Sequence, residues 1–306
     1  METMPESRSL PYEMGNAGDL LKHGVLAEIL RHRLNCRFDL PIRFLDFFGG
    51  LPVACSTPPE IVRRVNELSE CALRDGQPEI DSGRYYGSGM LVRKLGHFLG
   101  GHVSVFASDC DEGRRRRLLT EGLQPLEEAL PRLGNSSDYD AYRALETIKN
   151  ETTGNDLILI DPYDDLLKPD INGSNRAEDV LPVLGEVAKS SLVVLFVLNL
   201  DPFNRVGRRF DELLQRHLAD AHIMTCPPIR HSELKGEGKF YADLVLARPE
   251  LVEVPASTKM LRCRLELLAN KLADSLELSD RGRLMLLPRT IGYSRALRHD
   301  FQARNE

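Results

Sequence analysis

The sequence lacks tryptophan, and its cysteines do not have the spacing of a metal site or a disulfide framework. Six cysteines are scattered over 306 residues without a C-x-x-C pair, which argues against a zinc ribbon and against a small disulfide-rich domain. Scattered thiols fit a reducing compartment. We therefore expect a cytoplasmic protein that uses no metal.

Long apolar runs are also absent. The most apolar stretch, residues 191–200 (SLVVLFVLNL), has about half of the roughly twenty residues that a membrane-spanning helix needs. Residues 1–14 (METMPESRSLPYEM) contain acidic side chains and no apolar core, unlike a secretory signal. We expect no membrane partner.

An excess of basic charge is the third absence. The net charge is -6 and the pI is near 5.8, which argues against a uniformly basic nucleic-acid-binding protein but leaves room for a local basic surface. Hydrophobic residues make up 42% and charged residues 28% of the chain, close to the averages of globular domains. This length accommodates one large domain or two ordinary ones.

Two apolar runs are typical of strands buried on both faces of a parallel sheet. They are residues 157–160 (LILI) and 191–200, and shorter strand patterns occupy residues 42–48 and 102–107. Apolar residues at helical spacing, as in 60–75, lie between them. Alternating strands and helices predict an α/β fold with a mostly parallel sheet flanked by helices.

Acidic residues lie at the ends of two of these strands, where open α/β sheets bind ligands. Asp46 comes shortly before Gly49 and Gly50, and a glycine pair lets the backbone approach a ligand closely. Asp109 follows the next strand, where a carboxylate accepts hydrogen bonds from ribose hydroxyls. A glycine turn that binds nothing would have the same sequence.

The strand at 157–160 ends in Asp161, Pro162 and Tyr163. Proline removes a backbone donor and stops the regular strand, so the carboxylate and the phenol are expected at the same edge of the sheet. Asp-Pro is also common in ordinary turns, and this turn alone does not distinguish the two interpretations.

Two helix starts carry polar residues of interest. Residues 16–34 have the spacing of an amphipathic helix, on which Lys22 and His23 are by spacing alone expected to face solvent. The turn at 87–89 (GSG) precedes a second helix, so Ser88 and backbone amides are expected at a helix N-terminus. A plain serine cap is the alternative.

Several of these blocks, taken in order, resemble one known family. The blocks are GNAGDLLKH at 15–23, FLDFFGG at 44–50, RYYGS at 84–88 and LILIDPY at 157–163. The chain is similar to the RlmJ-like family of 23S ribosomal RNA adenine-N6 methyltransferases, and more distantly to other Rossmann-like methyltransferases that use S-adenosylmethionine. The resemblance extends from about Asn16 to about Pro249.

The resemblance implies a class I methyltransferase fold, with a mostly parallel, seven-stranded sheet. It divides the chain into an N-terminal arm at 1–15, a Rossmann-like domain at 16–250 and a C-terminal helical extension at 251–306. A helical segment near 52–98 is expected within the domain. The implied cofactor is S-adenosylmethionine, the implied partner is ribosomal RNA, and the oligomeric state stays open.

The resemblance also implies roles for individual residues. Those expected at the cofactor are Lys22, His23, Asp46, Gly49, Ser88, Asp109 and Asp140. Those expected at the reacting base are Asp161 and Pro162, as acceptors for the adenine amine, and Tyr163, stacked on the extruded base. Weaker candidates for substrate contact are Tyr86, Arg205 and Arg208.

The motif that begins at Asp161 is D-P-Y, one proline shorter than the family's D-P-P-Y. This difference lies where the substrate is chosen, so two alternatives stay open at this stage. One is a methyltransferase acting on DNA or a small molecule. The other is a protein of the same fold that binds the cofactor or a partner without catalysis.

Overall fold

The structure is a computed structural model that describes residues 14–36, 40–133, 139–162, 166–167, 176–199, 205–227, 241–247 and 258–290. Tyr163, residues 1–13 of the predicted arm and residues 291–306 of the predicted extension lie outside these ranges.

Helices and strands alternate along most of the described chain. The helices are α1 (Ala17–Cys36), α2 (Pro59–Glu67), α3 (Ala72–Gly76), α4 (Ser88–Phe98), α5 (Glu112–Thr120), α6 (Leu126–Ala129), α7 (Ala141–Thr147), α8 (Ala177–Val187), α9 (Arg205–His217), α10 (Thr258–Ser275) and α11 (Asp280–Leu286). The strands are β1 (Ile42–Asp46), β2 (Val53–Ala54), β3 (Tyr85–Tyr86), β4 (Val103–Ala107), β5 (Gln124–Pro125), β6 (Asp156–Ile160), β7 (Leu192–Asn199), β8 (His222–Cys226), β9 (Tyr241–Ala247) and β10 (Arg289–Thr290).

One large sheet has the order β10-β8-β9-β7-β6-β1-β4-β5. Strands β5, β4, β1, β6 and β7 are parallel, whereas β9 is antiparallel to both β7 and β8. The predicted α/β fold with a mostly parallel sheet is confirmed, but the sheet has eight strands instead of seven. The additional strand, β10, pairs antiparallel with β8. Because β10 is only two residues long, it is too short to give a sequence pattern.

The sheet has a hydrophobic core on each face. Leu157 and Leu159 of β6 pack into the core formed with α1, α4 and α10, and Ile158 and Ile160 pack into the core formed with α8 and α9. Successive side chains of a strand point to opposite faces. The unbroken apolar run of β6 is therefore explained by burial on both sides, as the sequence predicts.

The segment near 52–98 and the C-terminal helix α10 both pack against α1. Helices α3, α4 and α10 contact α1, and α11 packs against α10 and β8. The contact with α10 is close, because a Cβ atom at Gly24 would lie 2.8 Å from the Leu268 side chain. Within the described residues, no helix is long and apolar enough to cross a membrane.

An ion pair at the amino ends of β1 and β6 joins these two strands. Arg43 donates from Nε and Nη2 to the two carboxylate oxygens of Asp156, both at 2.7 Å, and Nη2 also donates to the Glu151 carbonyl at 3.0 Å. Asp156 is fully buried, and Arg43 and Asp156 are register partners in the β1–β6 ladder. This pair therefore helps to fix the register that aligns the carboxyl ends of the two strands.

We expect Asp156→Ala to lower the free energy of unfolding by about 3 kcal/mol, because the half-buried Arg43 loses its bidentate partner. Urea unfolding measures this change. Glu186→Ala, which removes the exposed pair with Lys189, is the control and is expected to leave stability nearly unchanged. Equal stability of the two variants would contradict the role given to the Arg43–Asp156 pair.

Candidate functional site

Three carboxylates lie at one edge of the sheet because their strands are neighbours. Strand β1 lies between β4 and β6, parallel to both. Asp46 ends β1, Asp109 follows β4 and Asp161 follows β6. They therefore lie at the carboxyl-end edge of the sheet, which is where open α/β sheets bind ligands.

Lys22 of α1 is the cation among these carboxylates. Its Nζ lies 2.5 Å from Asp161 Oδ2 and 2.9 Å from Asp19 Oδ1, and it is 5.1 Å from the centre of the Phe196 ring. Lys22 is only 3% exposed and Asp161 is 15% exposed. The spacing-based expectation of a solvent-facing lysine is therefore wrong, because α1 is enclosed by the sheet and by other helices.

Asp19 was not predicted as a site residue. It is buried, accepts a hydrogen bond from the Gly15 amide at 2.9 Å and donates its own amide to Asn16 Oδ1 at 3.0 Å. These contacts fix the first turn of α1. The sequence offers one indication of its role, since Asp19 is three residues before Lys22 and thus on the same side of the helix.

The carboxyl group of Asp46 is almost fully buried. Burial, followed by the negative charge of Asp161, raises its pKa to about 7, although the Phe48 amide and Lys22 act in the opposite direction. The Phe48 amide donates to Asp46 Oδ1 at 3.1 Å. Asp46 therefore changes its protonation state near neutral pH, under the electrostatic influence of Asp161, Lys22 and Asp109.

Asp109 joins the loop after β4 to the glycine turn after β1. Its Oδ2 accepts from the Gly50 amide at 3.0 Å, and its Oδ1 accepts from the Asp111 amide at 2.8 Å. Gly50 has a φ of +59°, a left-handed conformation that glycine adopts without strain. At Gly49 a Cβ would lie 2.8 Å from the Leu118 side chain, so this turn admits no larger residue without rearrangement.

His23 and Ser88 form a second buried polar group next to Lys22. The distance from His23 Nδ1 to the Tyr85 hydroxyl is 2.7 Å, and that from Nε2 to Ser88 Oγ is 3.1 Å. Burial, together with the positive charge of Lys22, lowers the pKa of His23 to about 3. The imidazole is neutral at physiological pH, and it is not the surface histidine that spacing alone predicts.

Asp140 is exposed and caps α7, accepting from the Tyr142 amide at 2.9 Å. The preceding residue, Tyr139, donates its hydroxyl to the Phe47 carbonyl at 3.0 Å, which holds the start of α7 beside the end of β1. The rings of Tyr142 and Phe48 meet edge to face at 5.5 Å. Asp140 therefore lies at the start of α7, which Tyr139 anchors next to the end of β1; the sequence did not indicate this role of Tyr139.

The three weaker candidates have different outcomes. Tyr86 is 1% exposed, with Lys94 5.0 Å and Arg84 6.0 Å from the ring centre, so a base does not reach its ring in this conformation. Arg208 is exposed on α9. Arg205 begins the same helix, but its side chain lies outside the described part, as does Tyr163. Pro162 directly follows Asp161 at the edge of the sheet.

Metal ligands are not grouped in the part of the chain that the structure describes. No cluster of three or more histidine, cysteine, aspartate or glutamate side chains there has an arrangement that holds a metal ion. The carboxylates at this edge are instead arranged around Lys22 and backbone amides.

Replacing Asp46 with asparagine is expected to change how stability depends on pH. The folded protein keeps the Asp46 proton up to about pH 7, whereas the unfolded chain releases it near pH 4, so this group lowers stability progressively as the pH rises between those values. Asp46→Asn removes that loss. Relative to the original protein, the variant should gain roughly 1–3 kcal/mol between pH 5 and pH 8.

Urea unfolding at the two pH values measures this difference. Asp220→Asn, at an exposed position before β8, is the control and is expected to change stability little at either pH. If the difference in the free energy of unfolding between Asp46→Asn and the original protein were the same at pH 5 and pH 8, Asp46 would ionise normally.

Comparisons with known proteins extend to the fold. No family model matches the sequence, and no curated protein matches it. Among solved structures, the chain is similar to protein LPL1258 from Legionella pneumophila str. Philadelphia 1, described under the family model DUF519, with a TM-score of 0.56 and 14% sequence identity. The match covers 84% of this chain and 93% of that chain. Identity at this level shows a shared fold and nothing further about function.

Proposed function

We propose that this protein is an S-adenosylmethionine-dependent methyltransferase that acts on the N6 amine of adenine in RNA, with ribosomal RNA as the substrate class. One observation carries the proposal. Residues from four separate stretches of the sequence, which the resemblance to the RlmJ-like family assigns to one site, lie at one edge of the sheet. They are Lys22, Asp46, Asp109 and Asp161.

The charge of this edge fits the cofactor. S-adenosylmethionine carries a sulfonium and an ammonium group, and four carboxylates lie at this edge: Asp19, Asp46, Asp109 and Asp161. Even with Asp46 protonated, three carboxylates remain against two cations, Lys22 and Arg114, so a further cation is attracted to this edge. The glycine turn at 49–50 gives a ligand close access to the backbone, and Asp109 is the candidate ribose acceptor.

The strand order supports the same class. Without the short edge strand β10, the sheet has seven strands, and β9 runs antiparallel between β7 and β8. A mostly parallel sheet with one reversed strand inserted near its end is the arrangement expected of a class I methyltransferase. Fold by itself does not assign an activity, so the proposal rests mainly on the residues at the edge.

Asp161 and the Pro162 carbonyl are the proposed acceptors for the target amine. The lone pair of an exocyclic adenine amine is delocalised into the ring, and hydrogen bonds accepted from its protons favour a more nucleophilic, pyramidal nitrogen. Lys22 contacts Asp161 Oδ2 at 2.5 Å and favours the ionised carboxylate, which is the accepting form. Lys22 thus acts as a positioning residue for Asp161.

When bound, S-adenosylmethionine supplies an electrophilic methyl group. The chain orients the amine in line with that group and excludes water from the crevice. Methyl transfer to the amine nitrogen would leave the sulfur as a neutral thioether, and Asp161 or solvent would take the surplus amine proton.

An exposed basic surface lies beside this edge. Arg114, Arg116 and Arg117 are exposed on α5, and Arg114 Nη1 is 3.7 Å from Asp109 Oδ2. Arg208 is exposed on α9, which follows β7 and therefore starts near the same edge. Arginines next to the crevice are suited to phosphate contacts, although the whole chain is acidic.

Calorimetry should show binding of S-adenosylmethionine to the purified protein, and the protein should methylate ribosomal RNA from cells that lack this modification. Asp161→Ala is expected to keep cofactor affinity within about threefold and to lower turnover by about 10²-fold or more, because the amine loses its acceptor. Nucleoside mass spectrometry identifies the product as N6-methyladenosine.

Glu186→Ala, an exposed change at the far end of α8 from the crevice, is the matched control and should retain full turnover. Absence of cofactor binding by the original protein would rule out the proposed function. Equal turnover of Asp161→Ala and the control would remove Asp161 from the chemistry.

RNA affinity is expected to fall steeply with salt, because arginines displace counterions from the phosphates. Replacing Arg114, Arg116 and Arg117 together with alanine should reduce the slope of log affinity against log salt by about two. Arg262→Ala, at an exposed position on α10, should leave the slope unchanged. Binding that does not depend on salt would instead favour a small-molecule substrate.

A further inference from the structure

A buried chain of three polar side chains reaches the start of α4. The Tyr85 hydroxyl lies 2.7 Å from His23 Nδ1, and His23 Nε2 lies 3.1 Å from Ser88 Oγ. Tyr85 is fully buried, His23 is 2% exposed and Ser88 is 7% exposed. Buried polar atoms need partners, so the direction of each hydrogen bond in this chain is determined by what else its members contact.

Tyr85 determines which group donates and which accepts in each hydrogen bond of this chain. Burial raises the pKa of its hydroxyl well above the usual value, so the phenol keeps its proton. In the described part of the chain, the acceptor that this hydroxyl meets is His23 Nδ1. A buried O–H without an acceptor is costly. Tyr85 therefore donates to Nδ1.

The next step follows from the charge of the imidazole. His23 is neutral at physiological pH, since its pKa is lowered to about 3 by burial and by Lys22. A neutral imidazole has one N–H. With Nδ1 accepting from Tyr85, the proton is on Nε2, and Nε2 donates to Ser88 Oγ.

The Ser88 hydroxyl hydrogen is then the end of the chain. Ser88 is the first residue of α4, an eleven-residue helix whose N-cap is Gly87 and whose start has no side-chain cap. The first amides of a helix point out of its N-terminus and favour an anion. A hydroxyl directed by Tyr85 and His23 adds a further donor at the same place.

This arrangement is rigid on the side of β3. Gln77 is buried and bonds to both backbone groups of Tyr86, accepting from its amide at 2.7 Å and donating to its carbonyl at 2.9 Å. The Gly87 amide donates to the Pro52 carbonyl at 2.9 Å, and a Cβ at Gly87 would lie 2.3 Å from the Leu51 carbonyl oxygen. Tyr85 and Ser88 are thus held in fixed positions on either side of His23.

We propose that Tyr85, acting through His23, is a positioning residue that makes the Ser88 hydroxyl a hydrogen-bond donor to the carboxylate of the bound cofactor. The inference rests on the proposed function. S-adenosylmethionine has one anionic group, its carboxylate, and the start of α4 is the donor-rich part of the site. The carboxylates around Lys22 supply the complementary surface for the cationic groups.

A pair of ligands tests this assignment. Tyr85→Phe should weaken binding of S-adenosylmethionine by about three- to tenfold, the range of one lost hydrogen bond. Its affinity for decarboxylated S-adenosylmethionine, which keeps the sulfonium and the amine, should match that of the original protein. Tyr86→Phe is the control. It removes a hydroxyl of the same strand, one that is hydrogen-bonded to Glu79 instead of to His23, and it should leave both affinities unchanged.

A second variant tests the assignment independently, in case Tyr85→Phe does not fold. Ser88→Ala removes the end of the chain and should show the same selective loss for the ligand with the carboxylate. In the double variant, Tyr85→Phe should add no further loss, because the two residues act through one hydrogen bond. Equal losses for both ligands, or additive effects of the two changes, would overturn the assignment.

Nitrogen NMR of His23 tests the chain without any ligand. The original protein and Tyr86→Phe should hold the proton on Nε2, and Tyr85→Phe should lose this preference. A proton on Nδ1 in the original protein would overturn the proposed direction. If the original protein binds neither ligand, the proposed function and the carboxylate assignment both fail, and the NMR result still decides the direction of the chain.

Discussion

The site depends on one buried ion pair that joins a helix to a strand end. Lys22 contacts Asp19 within α1 and Asp161 at the end of β6. Burying a lysine costs several kcal/mol unless its charge is compensated, and here two carboxylates and the face of Phe196 provide that compensation. The pairing positions α1 across the carboxyl ends of the parallel strands, and His23, the next residue, is carried into the interior with it.

Several carboxylates lie close to this ion pair, and they determine the electrostatic properties of this edge of the sheet. Burial, with the negative charges of Asp161 and Asp109, disfavours the ionised form of Asp46 and raises its pKa to about 7. A protein interior tolerates such an arrangement because backbone amides and Lys22 bond to the groups that remain charged. The same arrangement is suited to receive a cation, which would replace the proton on Asp46.

The two clusters of polar side chains next to α1 favour ligand groups of opposite charge. The carboxylates near Lys22 favour positive groups, whereas the start of α4, with the chain from Tyr85 through His23 to Ser88, presents donors. A ligand with separated positive and negative groups is complementary to such a site. An amino-acid portion of this kind belongs to the cofactor implied by the resemblance to the RlmJ-like family, and this agreement between sequence blocks and geometry is the basis of the proposed function.

The sequence by itself determined the fold class and the edge at which the site lies. The run at 157–160 identifies a strand buried on both faces, and acidic residues after parallel strands lie at one edge of the sheet, because such strands end there. The strand order, which makes β6, β1 and β4 neighbours, came from the structure. Only the tertiary structure decided that Lys22 and His23 are buried and that Tyr86 is enclosed. It also revealed the roles of Asp19, Tyr85 and Tyr139 and the eighth strand. The physical reason is that helical spacing shows which side of α1 is apolar, whereas its full enclosure by the sheet, α4 and α10 depends on residues distant in sequence.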